Sequence, residues 1–187
     1  MAVGWVPERS SNASGYGSGL AAVLLATAVA CGCTPDVDPD RSVAPDRAIV
    51  ATVVDGDTIE LLFGARRERV RLLGIDAPES VHPSVPVQCF GREASAELAT
   101  LLPPGEEVRL VRDDQARDRY GRLLLYVYRA ADELFVNRWL VRNGLADVAS
   151  YEPNTALAPA LSTARNLARA EGAGLWGRCD GPDQPLQ

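Results

Sequence analysis

Apolar and polar positions alternate with the period of strands through residues 49–75. Ile49 to Val54 and Thr58 to Phe63 are β-rich runs split by Asp-Gly, and Gly64-Ala65 turns the chain into a third run, Arg69 to Ile75. This predicts a three-stranded meander. The period then changes: Arg92 to Leu102 sets apolar residues at 94, 98, 101 and 102, the spacing of a helix with one buried face, and Pro103-Pro104-Gly105 stops it. Val108 to Val111 and Leu123 to Tyr128 read as two further strands joined by the polar run Arg112 to Arg122. Val136 to Gly144 predicts a short helix with a glycine stop, and Asp147 to Ala149 a brief extended segment. Thr155 to Glu171 predicts an alanine-rich helix, with Pro159 tolerated in its first turn and Gly172 after its end. Five strands with a helix inserted after the third, and three helices in all, predict a mainly β domain of the α+β class built on a small closed barrel of the OB type.

The ends follow other patterns. Residues 1–30 read as an export signal, because Leu20 to Ala30 is an unbroken run of small and apolar residues too short for the roughly 20 residues a membrane span needs. The run ends at Ala-Val-Ala-Cys, which resembles a bacterial lipoprotein processing site with Cys31 as the lipid anchor; the alternative is an ordinary cleaved signal in which Cys31 and Cys33 have no role. Residues 31–47 are rich in Pro and Asp and read as a disordered spacer, residues 48–179 as the folded domain, and residues 180–187 as a polar tail. The predicted location is therefore outside the cytoplasm, in the medium or held to the cell membrane by lipid, with the protein a monomer.

Composition bears on the partner. The 187-residue chain has a formal charge of −6, and its 19 basic residues are all arginine. An acidic chain lacks the broad positive surface that captures nucleic acid at long range, so polyanion binding has to be local. One stretch can supply it. Within residues 55–79 the carboxylates Asp55, Asp57, Asp76 and Glu79 lie at the two ends, around Arg66, Arg67, Arg69 and Arg71. A meander can carry Asp57 and Asp76 to the same end of the sheet, where two hard oxygen ligands suit Ca²⁺ or Mg²⁺. Arg71 lies on the strand leading to Asp76, and a metal beside a guanidinium fork is suited to a phosphodiester. An EF-hand reading fails, since the loop begun at Asp55 has Arg66 where the bidentate glutamate belongs. His82, the single histidine, excludes a multi-histidine site. In Tyr120-Gly121-Arg122 a glycine turn at a strand entrance can aim an arginine into a site.

The segments VVDGDTIEL, RVRLLGIDAPE, HP then FGREAS, DRYGR and VNRWLVRNGLADVA, in this order and spacing, resemble the thermonuclease family, the staphylococcal nuclease type, across Ala48 to Trp176. The resemblance implies an OB barrel with three helices and Ca²⁺-dependent hydrolysis of DNA and RNA at the 5′-oxygen, leaving 3′-phosphates. It also implies that Asp57, Asp76 and the Ala77 carbonyl hold the metal, with Asp55 supporting it from behind. Arg71 and Arg122 would grip the phosphate, Glu79 would act on the attacking water, and Arg119, Tyr120 and Tyr151 would line the substrate pocket. The chain departs from the family at Ala149-Ser150-Tyr151-Glu152, where the family carries two tyrosines and a lysine.

Cys89 and Cys179 are the cysteines left inside the folded domain, and export to an oxidising compartment predicts a disulfide between them. Two rival functions stand beside the nuclease: a non-catalytic OB-fold module binding nucleic acid at the cell surface, and a calcium-stabilised structural lipoprotein. Retention of Asp57, Arg71, Asp76, Glu79 and Arg122 together favours the enzyme.

Overall fold

The two turn sequences, Asp55-Gly56-Asp57 and Gly64-Ala65, fold the first strands back on each other. In the computed structural model, which describes residues 46–81 and 86–184, they separate β1 (Arg47–Asp55), β2 (Thr58–Phe63) and β3 (Arg66–Leu72). The predicted export signal, Cys31, almost all of the spacer, His82 and the last three residues lie outside the described residues. β1 pairs antiparallel with β2, and β2 with β3. Register shifts in β1 after Val50 and after Val53 bend that strand, as bulges do. After a two-residue β4 (Ile75–Asp76) come α1 (Gly91–Leu101), β5 (Glu107–Val111), β6 (Leu123–Arg129), β7 (Leu134–Phe135) and α2 (Val136–Arg142). The chain continues through β8 (Asp147–Val148), α3 (Ala158–Glu171) and α4 (Leu175–Arg178).

The sheet runs β3-β2-β1-β5-β6, and parallel pairing of Val70 to Leu72 with Leu123 to Leu125 joins β3 back to β6. This is a closed five-stranded barrel with three principal helices, the OB-type α+β fold. Ile59, Leu61, Val70, Leu72, Val108 and Val127 are fully buried in one core with Ala94 and Leu98 of α1, Leu140 of α2 and Leu161 of α3. Each such aliphatic side chain contributes roughly 1.5–3 kcal/mol. Buried Asn137 joins the barrel to α2: its Oδ1 accepts from Val127 N–H at 2.9 Å, and its Nδ2 donates to the Leu73 carbonyl at 2.9 Å.

Several predicted boundaries move. The third strand was expected to run from Arg69 to Ile75; it starts at Arg66 and stops at Leu72, because Gly74 turns at φ 76° and Leu73 N–H is taken by Leu125 O. Ile75-Asp76 then pairs with Val148-Asp147 instead. Asp46 and Arg47, assigned to the spacer, belong to the sheet edge: Leu110 N–H donates to Asp46 O, and Arg47 pairs with Glu107 at 3.0 Å. The last helix starts at Ala158 rather than Thr155, since Ala156 N–H is held by Asp113 Oδ2 and Asn154 by the Gln115 backbone. The tail is docked as far as Gln184, whose carbonyl accepts from Cys89 N–H at 2.8 Å. Beside that contact Cys89 and Cys179 are joined, with Cα atoms 5.9 Å apart.

Candidate active site

Gly56, between Asp55 and Asp57, packs so close to α1 that a Cβ there would meet Ala77 Cβ at 2.7 Å and Ala94 Cβ at 3.0 Å. The first turn is thereby pressed against the loop that follows β4. Asp57 fastens the contact: its Oδ1 accepts from Thr58 Oγ1 at 2.9 Å, its Oδ2 from Ala77 N–H at 3.0 Å, and its carbonyl from Leu72 N–H at 2.9 Å. Arg71, one residue before the end of β3, is the hub. Its side chain is 5% exposed; Nη1 donates to the carbonyls of Leu72 at 3.0 Å and Ile75 at 2.7 Å. Its Nη2 meets Asp57 Oδ2 at 3.0 Å, Asp76 Oδ1 at 2.7 Å and the Tyr151 hydroxyl at 2.9 Å.

The two predicted acidic ligands therefore converge on a single nitrogen. Partial burial pushes the Asp76 carboxyl up from its ordinary value; Arg71 opposes the shift and Asp57 adds to it. The side chain remains 56% exposed and faces an open cleft. Burial likewise raises the Tyr151 hydroxyl, opposed by Arg71, which keeps it protonated as a neutral partner of the guanidinium. Among the described residues no cluster of three or more His, Cys, Asp or Glu side chains forms a metal cage. The donor set is instead a pair of hard carboxylates, which fits a cation that completes its shell with carbonyl oxygens and water, as Ca²⁺ does.

The cleft, about 460 Å³, is lined by Asp55, Asp57, Arg69, Arg71, Asp76, Glu79, Arg122 and Tyr151 among others. Sequence reasoning named all of these as site residues except Arg69. Arg119 and Tyr120 line an adjoining hollow that shares Arg122 and Tyr151 with the cleft. Asp55 borders the cleft, yet its carboxylate is spent on structure: Oδ1 accepts from Gly56 N–H at 2.8 Å, Ser80 Oγ at 2.5 Å and Ser95 Oγ at 3.4 Å. It thus ties the loop after Glu79 to α1.

Three positioning residues were missed. Asp118 accepts from Arg122 Nε at 2.7 Å, and its Oδ1 accepts from the backbone N–H groups of Tyr120 and Arg122 at 2.9 Å. The acid four residues before Arg122 in DRYGR was a readable signal for it. Gln88 brackets Glu79: its Oε1 accepts from Glu79 N–H at 2.7 Å, and its own N–H donates to Glu79 O at 2.8 Å. The Asn154 side chain holds the Tyr151 loop to the Gln115 backbone: its Oδ1 accepts from Gln115 N–H at 2.7 Å, and its Nδ2 donates to Gln115 O at 3.0 Å. A different hollow of about 260 Å³, between α2 and α3, is lined by Phe135, Trp139 and Leu167 with Arg138 and Arg142, and no carboxylate is among its described lining residues.

A profile of the staphylococcal nuclease homologue family matches residues 69–178, more than half of the chain. The chain belongs to this family. A thermonuclease of Staphylococcus intermedius is 36% identical over 159 residues, which covers 85% of this chain and 93% of that protein. One of Staphylococcus hyicus is 38% identical over 127 residues, 68% of this chain and 73% of the relative. An endonuclease of Bacillus subtilis (strain 168) is 36% identical over 139 residues, 73% of this chain but 62% of its own length. The matched span takes in Arg71, Asp76, Glu79 and Arg122, whereas Asp57 lies before it and meets Arg71 Nη2 at 3.0 Å.

Proposed function

We propose that this chain is a Ca²⁺-dependent nuclease that hydrolyses phosphodiester bonds of DNA and RNA at the 5′-oxygen and leaves 3′-phosphate ends. One observation carries the reading: Asp57, Arg71, Asp76, Glu79 and Arg122 line a single open cleft at the end of the barrel. Similarity to proteins named thermonuclease and endonuclease supports the same chemistry. Asp57 and Asp76, with the Ala77 carbonyl, would hold the cation. When bound, it supplies positive charge against the phosphoryl oxygens. Arg122, aimed by Asp118, and Arg71 at the cleft floor donate to those oxygens. In-line attack increases their negative charge, so both contacts strengthen in the transition state. Glu79 accepts a proton from the attacking water as the new P–O bond forms and the bond to the 5′-oxygen breaks. The leaving 5′-oxygen takes a proton from solvent water and ends as a hydroxyl. We extend the reading to an exported monomer tethered through Cys31, on the short apolar run that ends in Ala-Cys and the spacer after it.

Steady-state kinetics on a defined oligonucleotide test the roles. Glu79→Gln is expected to lower kcat by about 10²- to 10⁴-fold with KM nearly unchanged. Arg122→Lys keeps the charge but loses the planar fork, and is expected to recover only part of the activity lost in Arg122→Ala. Full hydrolysis by a Glu79→Gln, Arg122→Ala double variant would rule this mechanism out, whereas binding of the oligonucleotide with no hydrolysis by the unaltered chain would favour the alternative, a non-catalytic OB-fold module that binds nucleic acid.

A further inference from the structure

Arg67, Arg69 and Arg71 occupy alternate positions of β3, so their side chains leave one face of the strand, successive pairs about 6.6 Å apart along it. The row leads away from Asp57 and Asp76 into a hollow that Glu79 and Glu68 also line, Glu68 being paired with Arg66 at 3.4 Å and Arg117 at 3.1 Å. Arg71 lies in the cleft, Arg69 lines both the cleft and a second open hollow of about 720 Å³, and Arg67 lines that second hollow alone. The Tyr120 ring, 70% exposed, also borders the second hollow, and the Arg119 and Arg122 guanidiniums stand 4.8 and 5.5 Å from its centroid. Arg67 and Arg69 share one counter-charge: Glu60 on β2, which accepts from Arg67 Nη1 at 2.9 Å and from Arg69 Nη2 at 3.3 Å. The Arg67 hydrogen bond holds the Glu60 carboxyl below its ordinary value. One carboxylate between two guanidiniums leaves excess positive charge, on side chains 56% and 55% exposed, in a chain of net charge −6. Such exposed pairs are easily exchanged for another anion.

We propose that Arg69 and Arg67, with the Tyr120 ring facing them, form a subsite for the two phosphates next to the scissile one on a single nucleic-acid strand. The assignment rests on the nuclease reading and adds to it a track for the substrate beyond the reacting bond. Glu60 holds the two arginines extended until strand phosphates replace it, and an unpaired base stacks on Tyr120. Local capture of this kind answers the difficulty that an acidic chain poses for a polyanion substrate.

The experiment is fluorescence anisotropy of labelled single-stranded oligodeoxynucleotides of two and eight residues, in EGTA, across a salt series, with the full chain. Arg67→Gln, Arg69→Gln is expected to weaken the eight-residue strand at least tenfold and the two-residue strand less than threefold. Its slope of log affinity against log salt is expected to fall by about 1.4, two contacts at about 0.7 each for a single strand. Glu60→Gln is expected to act oppositely, tightening the longer strand and steepening its slope, which misfolding of a variant cannot imitate. Equal losses for both lengths, an unchanged slope, or no binding of the longer strand by the unaltered protein would overturn the subsite. Hydrolysis in Ca²⁺ is scored separately: cleavage with an unchanged slope retires the track alone, and length-dependent binding without cleavage retires the nuclease reading alone.

Discussion

Breaking the link between Cys89 and Cys179 is expected to cost stability and activity together. The two residues are 90 apart in sequence, so the cross-link removes the freedom of a long loop from the unfolded chain. On the chain-entropy model that is worth about 4.6 kcal/mol. For a domain of this size each kcal/mol moves the melting temperature by roughly 3–4 °C, so the reduced protein is expected to melt roughly 10–20 °C lower. The local effect reaches the cleft through Gln88, the neighbour of Cys89, which holds Glu79 by hydrogen bonds of 2.7 and 2.8 Å. Loosening Gln88 displaces Glu79, the proposed proton acceptor, more than Arg71 and Arg122, the proposed phosphate ligands, so kcat is expected to fall while KM changes little. The assay is scanning calorimetry and steady-state kinetics with and without a phosphine reductant, with Cys89→Ser, Cys179→Ser as a control that the reductant should not affect further. Titratable thiols at Cys89 and Cys179 in the unreduced protein, or a melting temperature that reduction shifts by less than about 3 °C, would refute the reasoning.

Three more outcomes are expected. Asn137→Ala leaves the Val127 N–H and the Leu73 carbonyl without their buried partner, which should cost roughly 2–5 kcal/mol in urea unfolding; a loss under 0.5 kcal/mol contradicts the role given to that side chain. Burial, helped by the hydrogen bond to Asp113, pushes the Tyr126 hydroxyl up to about 12. A pKa raised on folding gives stability that is whole below pH 10 and lost as pH rises through about 12. Tyr126→Phe should therefore flatten the alkaline loss of stability between pH 10 and 12, and an unchanged loss would show that another group causes it. Mass spectrometry of the mature protein should find a lipid-modified Cys31 at its N-terminus, whereas an unmodified residue 31 or cleavage elsewhere removes the anchor.

What was legible in the chain was local. Asp55-Gly56-Asp57 and Gly64-Ala65 set the first two hairpins by their own conformational preferences, and the 94, 98, 101 spacing set the buried face of α1. The contacts that complete the site are long-range, and no local pattern encodes them. Closure of the barrel joins Val70 to Leu123, and Tyr151 reaches Arg71 across 80 residues. Gln88 and Ser80 read as loop polarity, because their purpose lies in what they face once α1 has docked. α4 was missed because Gly174 and Gly177 argue against a helix, and it survives through contact: a Cβ on Gly174 would lie 2.2 Å from the Gly144 carbonyl oxygen. Asp118 was the avoidable omission, since an acid four residues before Arg122 was visible in the motif itself.

The measurement that bears most directly on the central claim is end-group analysis of single-stranded DNA and RNA incubated with the purified chain, first in millimolar Ca²⁺ and then in excess EGTA. Cleavage in Ca²⁺ that yields 3′-phosphate and 5′-hydroxyl ends, and that stops when the chelator is added, is the predicted result. Undiminished cleavage in EGTA, products ending in 5′-phosphate, or intact strands under both conditions would contradict the account.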